Sequence, residues 1–329
     1  MDKMTLYPWL VPIYQQLTHT FLQGRGHHAL LFKTEVGLGT EQLITQFADW
    51  LLCQMPQGEK PCHQCKSCLL RQSGNHPDFH LLAPQESKEI LIDQVRELNQ
   101  QLQTFAQQGG NIVVYIQGAD KLNEASSNAL LKTLEEPHEG VYFLLEAPIQ
   151  DAILPTIQSR CQTYLITAPK ADSAMQWLAE VCPNTSFETR QIALNICHQR
   201  PLICKSFLEN DRLPVRKAFL QTFWQFLKTR DVFLLYSAFD KEMIFEQLEW
   251  LESFFTDSLK AKMGIQHGWI NTDLGNAIPI FSQRFHAPLL LEGHRIVQQT
   301  QRDLREINAV NQELMLLDGI TKLVMTLFG

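Results

Sequence analysis

Five short apolar runs constrain the fold of this chain more than anything else in it. His28–Phe32, Phe79–Ala83, Ile112–Ile116, Val141–Leu145 and Cys161–Ile166 are rich in aliphatic and aromatic residues and largely lack an apolar–polar alternation. Such runs read as strands buried on both faces, which is the state of strands in a parallel sheet. Between them lie segments with helical spacing. Leu43, Phe47 and Leu51 recur within Glu41–Cys53; Ile92, Val95, Leu98, Leu102 and Phe105 mark one face of a helix that Gly109-Gly110 would end. Asn123 is placed to cap a helix through Glu136 that Pro137 stops, and a further helix is expected over Asp151–Gln158. Strands alternating with helices predict an α/β domain with a covered parallel sheet.

After Pro169 the pattern changes to helical periodicity with no convincing strand. Ala171–Leu208 reads as a small helical unit, Asn210-Asp211 and Pro214 as a linker. Long amphipathic helices are expected over Val215–Lys228, Ile244–Lys262, Leu289–Ile307 and Gln312–Leu327. The basic group Arg212, Arg216 and Lys217 is expected to be part of a solvated linker rather than a DNA site.

The balance of 28 basic against 35 acidic residues gives a net charge of −7, which argues against a protein that wraps nucleic acid through bulk positive charge. Ile112–Ile116, Val141–Leu145 and Val232–Tyr236 fall far short of the roughly 18 apolar residues a membrane span needs. The opening MDKMTLYPWL has no basic segment followed by a long apolar one, so no secretory signal is expected and a cytoplasmic location is. In a reducing compartment, clustered cysteines bind metal more often than they pair.

Three features carry potential chemistry. The first is the glycine turn after His28–Phe32. A phosphate-binding G-x-x-x-x-G-K-[ST] loop cradles phosphates with backbone N–H groups, a lysine and a Mg²⁺-binding hydroxyl. Here the turn reads Thr34-Glu35-Val36-Gly37-Leu38-Gly39-Thr40-Glu41. Gly37 and Gly39 preserve the turn, but Thr40 stands in the lysine position and Glu41 in the hydroxyl position. The Asp-Glu pair that a competent ATPase carries after the Ile112–Ile116 strand is replaced by Gln117-Gly118. The expectation is a domain with the shape of a nucleotide-binding fold and without its nucleotide chemistry.

The second feature is Cys53, Cys62, Cys65 and Cys68, spaced C-x8-C-x2-C-x2-C. Two successive C-x2-C spacings suit four thiolates around one tetrahedral zinc. An iron–sulfur cluster uses similar spacing, although the following Cys-Pro is missing, and four unrelated free thiols remain a third reading. His63 and His76 are surplus if all four cysteines bind. Cys161, Cys182, Cys197 and Cys204 are scattered among apolar neighbours and are expected to be buried small residues. The third feature is Ser159-Arg160-Cys161. By itself it fits an arginine in a surface ion pair as well as an arginine with a role in trans.

Taken in order, TEVGLGT, the cysteine cluster, NHPDFHLLAP (Asn75–Pro84), NALLKTLEEP (Asn128–Pro137) and QSRC (Gln158–Cys161) resemble the delta-prime family of bacterial DNA polymerase III clamp-loader subunits. The opening YPWL and GRGHHALL fit as well. The resemblance is densest from Tyr7 to about Ile166 and extends more loosely to the end. It implies an AAA+ α/β domain over 1–167 with a zinc module at 53–68, a helical lid over 168–208 and a helical collar over 209–329. It further implies an accessory subunit of a DNA-directed DNA polymerase (nucleotidyltransferase) holoenzyme that does not hydrolyse ATP. The implied partners are gamma/tau motor subunits and a delta subunit in a five-membered ring, with the sliding clamp and primer–template DNA met through the complex.

The resemblance maps zinc ligands onto Cys53, Cys62, Cys65 and Cys68, and an arginine reaching a neighbour's ATP site onto Arg160. Two places depart from the family pattern. His198-Gln199-Arg200-Pro201 stands near where lids often carry Gly-Ser-x-Arg, and the polar residue expected after the Val141–Leu145 strand is replaced around Glu146-Ala147. Arg200 is therefore read as structural. The other classes weighed are a gamma/tau-like motor ATPase, disfavoured by Thr40 and Gln117, and a stand-alone zinc nucleic-acid module. The latter is disfavoured by the net charge and by the presence of only Lys60 and Lys66 as basic residues within the cysteine cluster.

Overall fold

The fold is described from a computed structural model covering residues 6–85, 89–306 and 312–329. The chain divides into two compact units, one ending at Pro169 and the other beginning at Lys170.

The first unit holds α1 (Val11–Leu22), β1 (Ala29–Thr34), α2 (Thr40–Leu52), α3 (Lys66–Gln72), β2 (Phe79–Leu82), α4 (Ile92–Gln101) and β3 (Ile112–Gln117). It continues through α5 (Glu124–Glu135), β4 (Val141–Pro148), α6 (Pro155–Gln158) and β5 (Gln162–Ile166). The five strands form one parallel sheet in the order β2-β3-β4-β1-β5. Leu31 lies opposite Leu145, and Ile116 opposite the same residue from the other side. Successive strand residues face opposite layers: Leu31, Val114, Phe143 and Leu145 pack with α4 and α5, whereas Leu30, Phe32, Val113 and Leu144 pack with α1 and α2. Both faces are covered, which is why the central strands show no alternation. The edge strands β2 and β5 are less buried, with Leu81 and Leu165 exposed.

Two helices are shorter than their periodicity predicts. Helix α4 stops at Gln101, and Phe105, expected on its buried face, is 97% exposed. The chain turns there because Asp78 accepts hydrogen bonds from the N–H groups of Gln107 (2.7 Å) and Gln108 (2.9 Å), fixing the approach to β3. Helix α6 begins only at Pro155, because a residue before proline is driven out of the helical region; Leu154 has ψ 130.

The second unit is helical throughout its described residues: α7 (Ala171–Val181), α8 (Phe187–Ile196), α9 (Pro201–Glu209), α10 (Arg212–Thr229), α11 (Val232–Tyr236), α12 (Ile244–Lys262), α13 (Ala277–Arg284), α14 (Ala287–Glu306) and α15 (Gln312–Phe328). The helix expected over Leu289–Ile307 corresponds to α14, and Ile307 itself lies outside the described residues. One continuous core runs from Ala174 in α7 to Leu327 in α15.

The expected linker is a correction. Residues from Arg212 begin α10, Pro214 falls in its first turn, and Arg216 is 1% exposed. Its guanidinium pairs with Asp273 (2.7 Å) and donates to Asn271, which is also bonded to the buried Asp257 (2.8 Å). Sequence spacing gave Arg216 no partner; the partner arrives from a loop more than fifty residues later. No described helix is long and apolar enough to cross a membrane.

Candidate functional site

The chemistry gathers at the two ends of α2. At its N-terminus, Gly37 (φ 92) and Gly39 (φ 77) take left-handed backbone that other residues resist, so the tight turn of a phosphate loop is formed. Its interior is filled by the chain itself. Thr40, in the lysine position, is 3% exposed, and its hydroxyl is hydrogen-bonded to that of Thr34 at 2.5 Å. Leu38 is fully buried, and its carbonyl accepts from Trp9 Nε1 at 2.8 Å. Glu41 is exposed in the first turn of α2, where its carboxylate faces the partial positive charge that would otherwise favour a phosphate. At the ends of β3 and β4, Tyr115 donates its hydroxyl proton to Glu146, a carboxyl that burial pushes above its ordinary range.

At the other end, α2 stops at Leu52 and delivers Cys53. The excursion that follows is stapled back: Tyr14 donates to the carbonyl of Glu59 (2.8 Å), and Trp50 Nε1 donates to that of Gly58 (2.9 Å). Cys65 then caps α3, and Cys68 sits in its first turn. The ligating atoms of Cys53, Cys62, Cys65 and Cys68 all lie within 4.8 Å of one another. Cys62 Sγ and Cys68 Sγ are 3.9 Å apart, far beyond a disulfide and close to the roughly 3.8 Å edge of a tetrahedron with Zn–S bonds of about 2.3 Å.

Backbone N–H groups point at the sulfurs: Cys62 N to Cys53 Sγ (3.2 Å), Cys65 N to Cys62 Sγ (3.3 Å) and Cys68 N to Cys65 Sγ (3.4 Å). The N–H groups of Gln64 and Cys65 lower the Cys62 thiol to about 6, whereas burial raises Cys53 and Cys68. Four sulfurs this close can all ionise only around a cation. The set fits a closed metal centre such as zinc. His76 is not among the donors: its Nε2 lies 2.5 Å from Ser67 Oγ, and its Nδ1 accepts the Asp78 N–H at 3.1 Å.

Arg160 follows α6, its side chain 30% exposed. Its Nε donates to Glu135 at 2.8 Å, its Nη2 reaches the same carboxylate oxygen, and its Nη1 donates to the Thr156 carbonyl at 2.7 Å. Glu135 was not singled out in the sequence, although it lies inside NALLKTLEEP and ends α5. In the second unit Arg200 is committed locally, donating to the carbonyl of Cys197 (3.0 Å) and to Glu249 (3.3 Å). His198 and Gln199 before it adopt positive φ, so the turn survives in residues that would rather not form it. Of the scattered cysteines, Cys182, Cys197 and Cys204 are buried and Cys161 is half-buried.

Residues 11–170 match the family described as DNA polymerase III, delta subunit, and residues 210–324 match that described as DNA polymerase III, delta subunit, C terminal. The chain is 45% identical to DNA polymerase III subunit delta' of Haemophilus influenzae, with 98% of each chain covered. It is 36% identical to the Yersinia pestis protein of that name, over 96% of this chain and 95% of that one. The Escherichia coli K12 protein is 32% identical, over 97% of this chain and 96% of its own. Among solved structures, a gamma subunit-related protein from Thermotoga maritima aligns with a TM-score of 0.48 at 14% identity, covering 95% of this chain and 99% of its own. With near-complete coverage at these identities, the chain belongs to the DNA polymerase III subunit delta' family.

Proposed function

We propose that this chain is a non-hydrolysing delta-prime-type subunit of the replicative clamp loader, an accessory to a DNA-directed DNA polymerase that supplies Arg160 to the ATP site of a neighbouring subunit. The observation that carries the reading is Thr40: the position that should present an ammonium to phosphate holds a buried hydroxyl bonded to Thr34. The chain's own turn is thereby unsuited to ATP, while an arginine of the SRC motif stays at the surface. Its partners in this reading are P-loop-bearing gamma/tau-type motor subunits and a delta-type subunit, with the sliding clamp and primer–template DNA engaged through the assembly, in the cytoplasm.

The four cysteines hold a structural zinc that organises 53–68 and takes no part in phosphoryl transfer. The lid is assigned to 168–208 and the collar to 209–329. Apart from residues 168 and 169, both lie within the second compact unit, and only Asn210 and Asp211 separate α9 from α10. Arg160 acts by charge and shape. As the γ-phosphoryl group of ATP leaves, its equatorial oxygens gain negative charge, and a planar guanidinium placed in trans stabilises it while reporting that the interface is closed.

The test is a clamp loader reconstituted with Arg160→Ala. An arginine of this kind is worth up to roughly 10³–10⁵ in rate at the single site it serves. The variant should keep fold and metal content, lose clamp loading and lower DNA-stimulated ATP turnover by the share of that one site. Arg160→Lys should rescue poorly, because a point charge lacks the fork. Normal loading by the Arg160→Ala complex would reduce Arg160 to a surface ion-pair residue.

A further inference from the structure

We propose that Glu135 is a positioning residue for Arg160, so that the LEEP and SRC segments, twenty-five residues apart, form one device. The inference rests on the trans-acting reading of Arg160. A guanidinium is planar, so contacts at two of its nitrogens fix both its plane and the direction of its remaining N–H groups. Here Nε and Nη2 engage Glu135 at the end of α5, and Nη1 engages the Thr156 carbonyl of α6 with a longer contact to Ser159 Oγ at 3.4 Å. Of the two Nη2 N–H groups only one is engaged by Glu135, and the other has no partner among the described residues. That is the state wanted of an arginine waiting for an oxyanion.

The pair is poorly explained as a stability device. The two side chains are 30% and 48% exposed, and ion pairs at such sites contribute little. Glu135 is moreover the last residue of α5, where the helix dipole disfavours a carboxylate. The helix ends directly behind it, with Glu136 as its C-terminal cap, and the carboxylate meets the arginine that follows α6. Backbone and side chain thus converge on the orientation of one arginine.

The experiment uses the assembled complex carrying full-length Glu135→Ala, Glu135→Gln, Arg160→Ala or the double Glu135→Ala/Arg160→Ala chain. It reads ATP turnover at saturating and limiting ATP, together with the unfolding midpoint of each isolated chain. The portion of turnover that Arg160→Ala abolishes should fall roughly tenfold in Glu135→Ala, as expected when a reacting group is misplaced rather than removed. The loss should appear in kcat with KM unchanged. Glu135→Gln, which keeps an acceptor, should recover part of it, and midpoints should not move. The double variant should be no worse than Arg160→Ala alone.

Unchanged turnover in Glu135→Ala beside an impaired Arg160→Ala overturns the positioning role and leaves the arginine's role standing. A gain in turnover would also overturn it, showing that the carboxylate merely neutralises the guanidinium. So would a further loss in the double variant, which would mean that Glu135 acts without Arg160. Normal turnover in Arg160→Ala overturns the underlying reading, and this one with it.

Discussion

The two ends of α2 carry two motifs in opposite states. The glycine turn has the backbone of a phosphate loop but Thr40 and Glu41 in the lysine and hydroxyl positions; the cysteine module has a complete set of four donors. The difference lies in what supports each. The turn is held by ordinary packing, with Leu38 and Thr40 buried, Trp9 bonded across it and the sheet core beneath. Its backbone needs no ligand to persist. The module has almost no core: the buried cluster at its centre consists of Cys53, Cys65 and Cys68 with Cys62 against them. A segment that buries little apolar surface cannot offset the entropy of ordering itself, and a metal held by the four sulfurs would supply what packing does not.

The largest effect expected from this contrast is on the module. Structural zinc contributes on the order of 10–16 kcal/mol of binding free energy in small peptides; here the staples from Tyr14 and Trp50 carry part of that role. Cys65→Ser, or chelation, should release one zinc equivalent and open 54–72 to amide hydrogen exchange while leaving the sheet protected. Elemental analysis and exchange mass spectrometry check this together. Unchanged exchange after metal loss, or an iron–sulfur absorption band in the purified chain, would remove the contrast.

The second effect is on the turn. The isolated chain should give no saturable heat with millimolar Mg-ATP, because Thr40, Glu41, Gln117 and Gly118 leave it without the lysine and the metal-binding groups. Thr40→Lys should not restore binding or turnover. It places an ammonium where a hydroxyl is buried against Thr34 and should destabilise the chain by about 1–3 kcal/mol, seen as a lower denaturation midpoint. Micromolar ATP affinity in either chain would mean that backbone shape alone still makes a phosphate cradle.

The sequence was most legible where one physical rule acted alone. The strands announced themselves because both faces of the sheet are buried, and α12 begins and ends at the residues its periodicity predicts, Ile244 and Lys262. The cysteine cluster was legible because ligand spacing is local. What could not be read depended on partners distant in sequence. Phe105 continues the apolar stripe of α4, yet the helix ends because Asp78 claims the N–H groups of Gln107 and Gln108. Arg216 looks like a solvated cation until Asp273 and Asn271 are seen beside it. Glu135 is one acidic residue in a conspicuous motif, and nothing short of the packing of α5 on α6 joins it to Arg160.

The smallest expected effect sharpens the contrast by pH. His76 lies beneath the module, 6% exposed, with Nδ1 accepting the Asp78 N–H and Nε2 on Ser67 Oγ, which itself donates to the Leu52 carbonyl at 2.6 Å. The neutral ring with its proton on Nε2 satisfies all of these; a second proton on Nδ1 would displace the Asp78 N–H. Burial therefore holds His76 below the ordinary histidine value of 6.5. The folded state binds that proton less readily than the unfolded chain, so stability is complete above about pH 6.5 and declines as pH falls through and below that value. In the metal-saturated protein, amide protection factors across α3 and 73–78, corrected for the intrinsic slowing of exchange in acid, should fall between pH 7 and pH 6, while those of the glycine turn stay unchanged. An NMR titration of the His76 ring gives the decisive number: a midpoint at or above 6.5 would mean the ring is not the buried acceptor that ties α3 to the sheet.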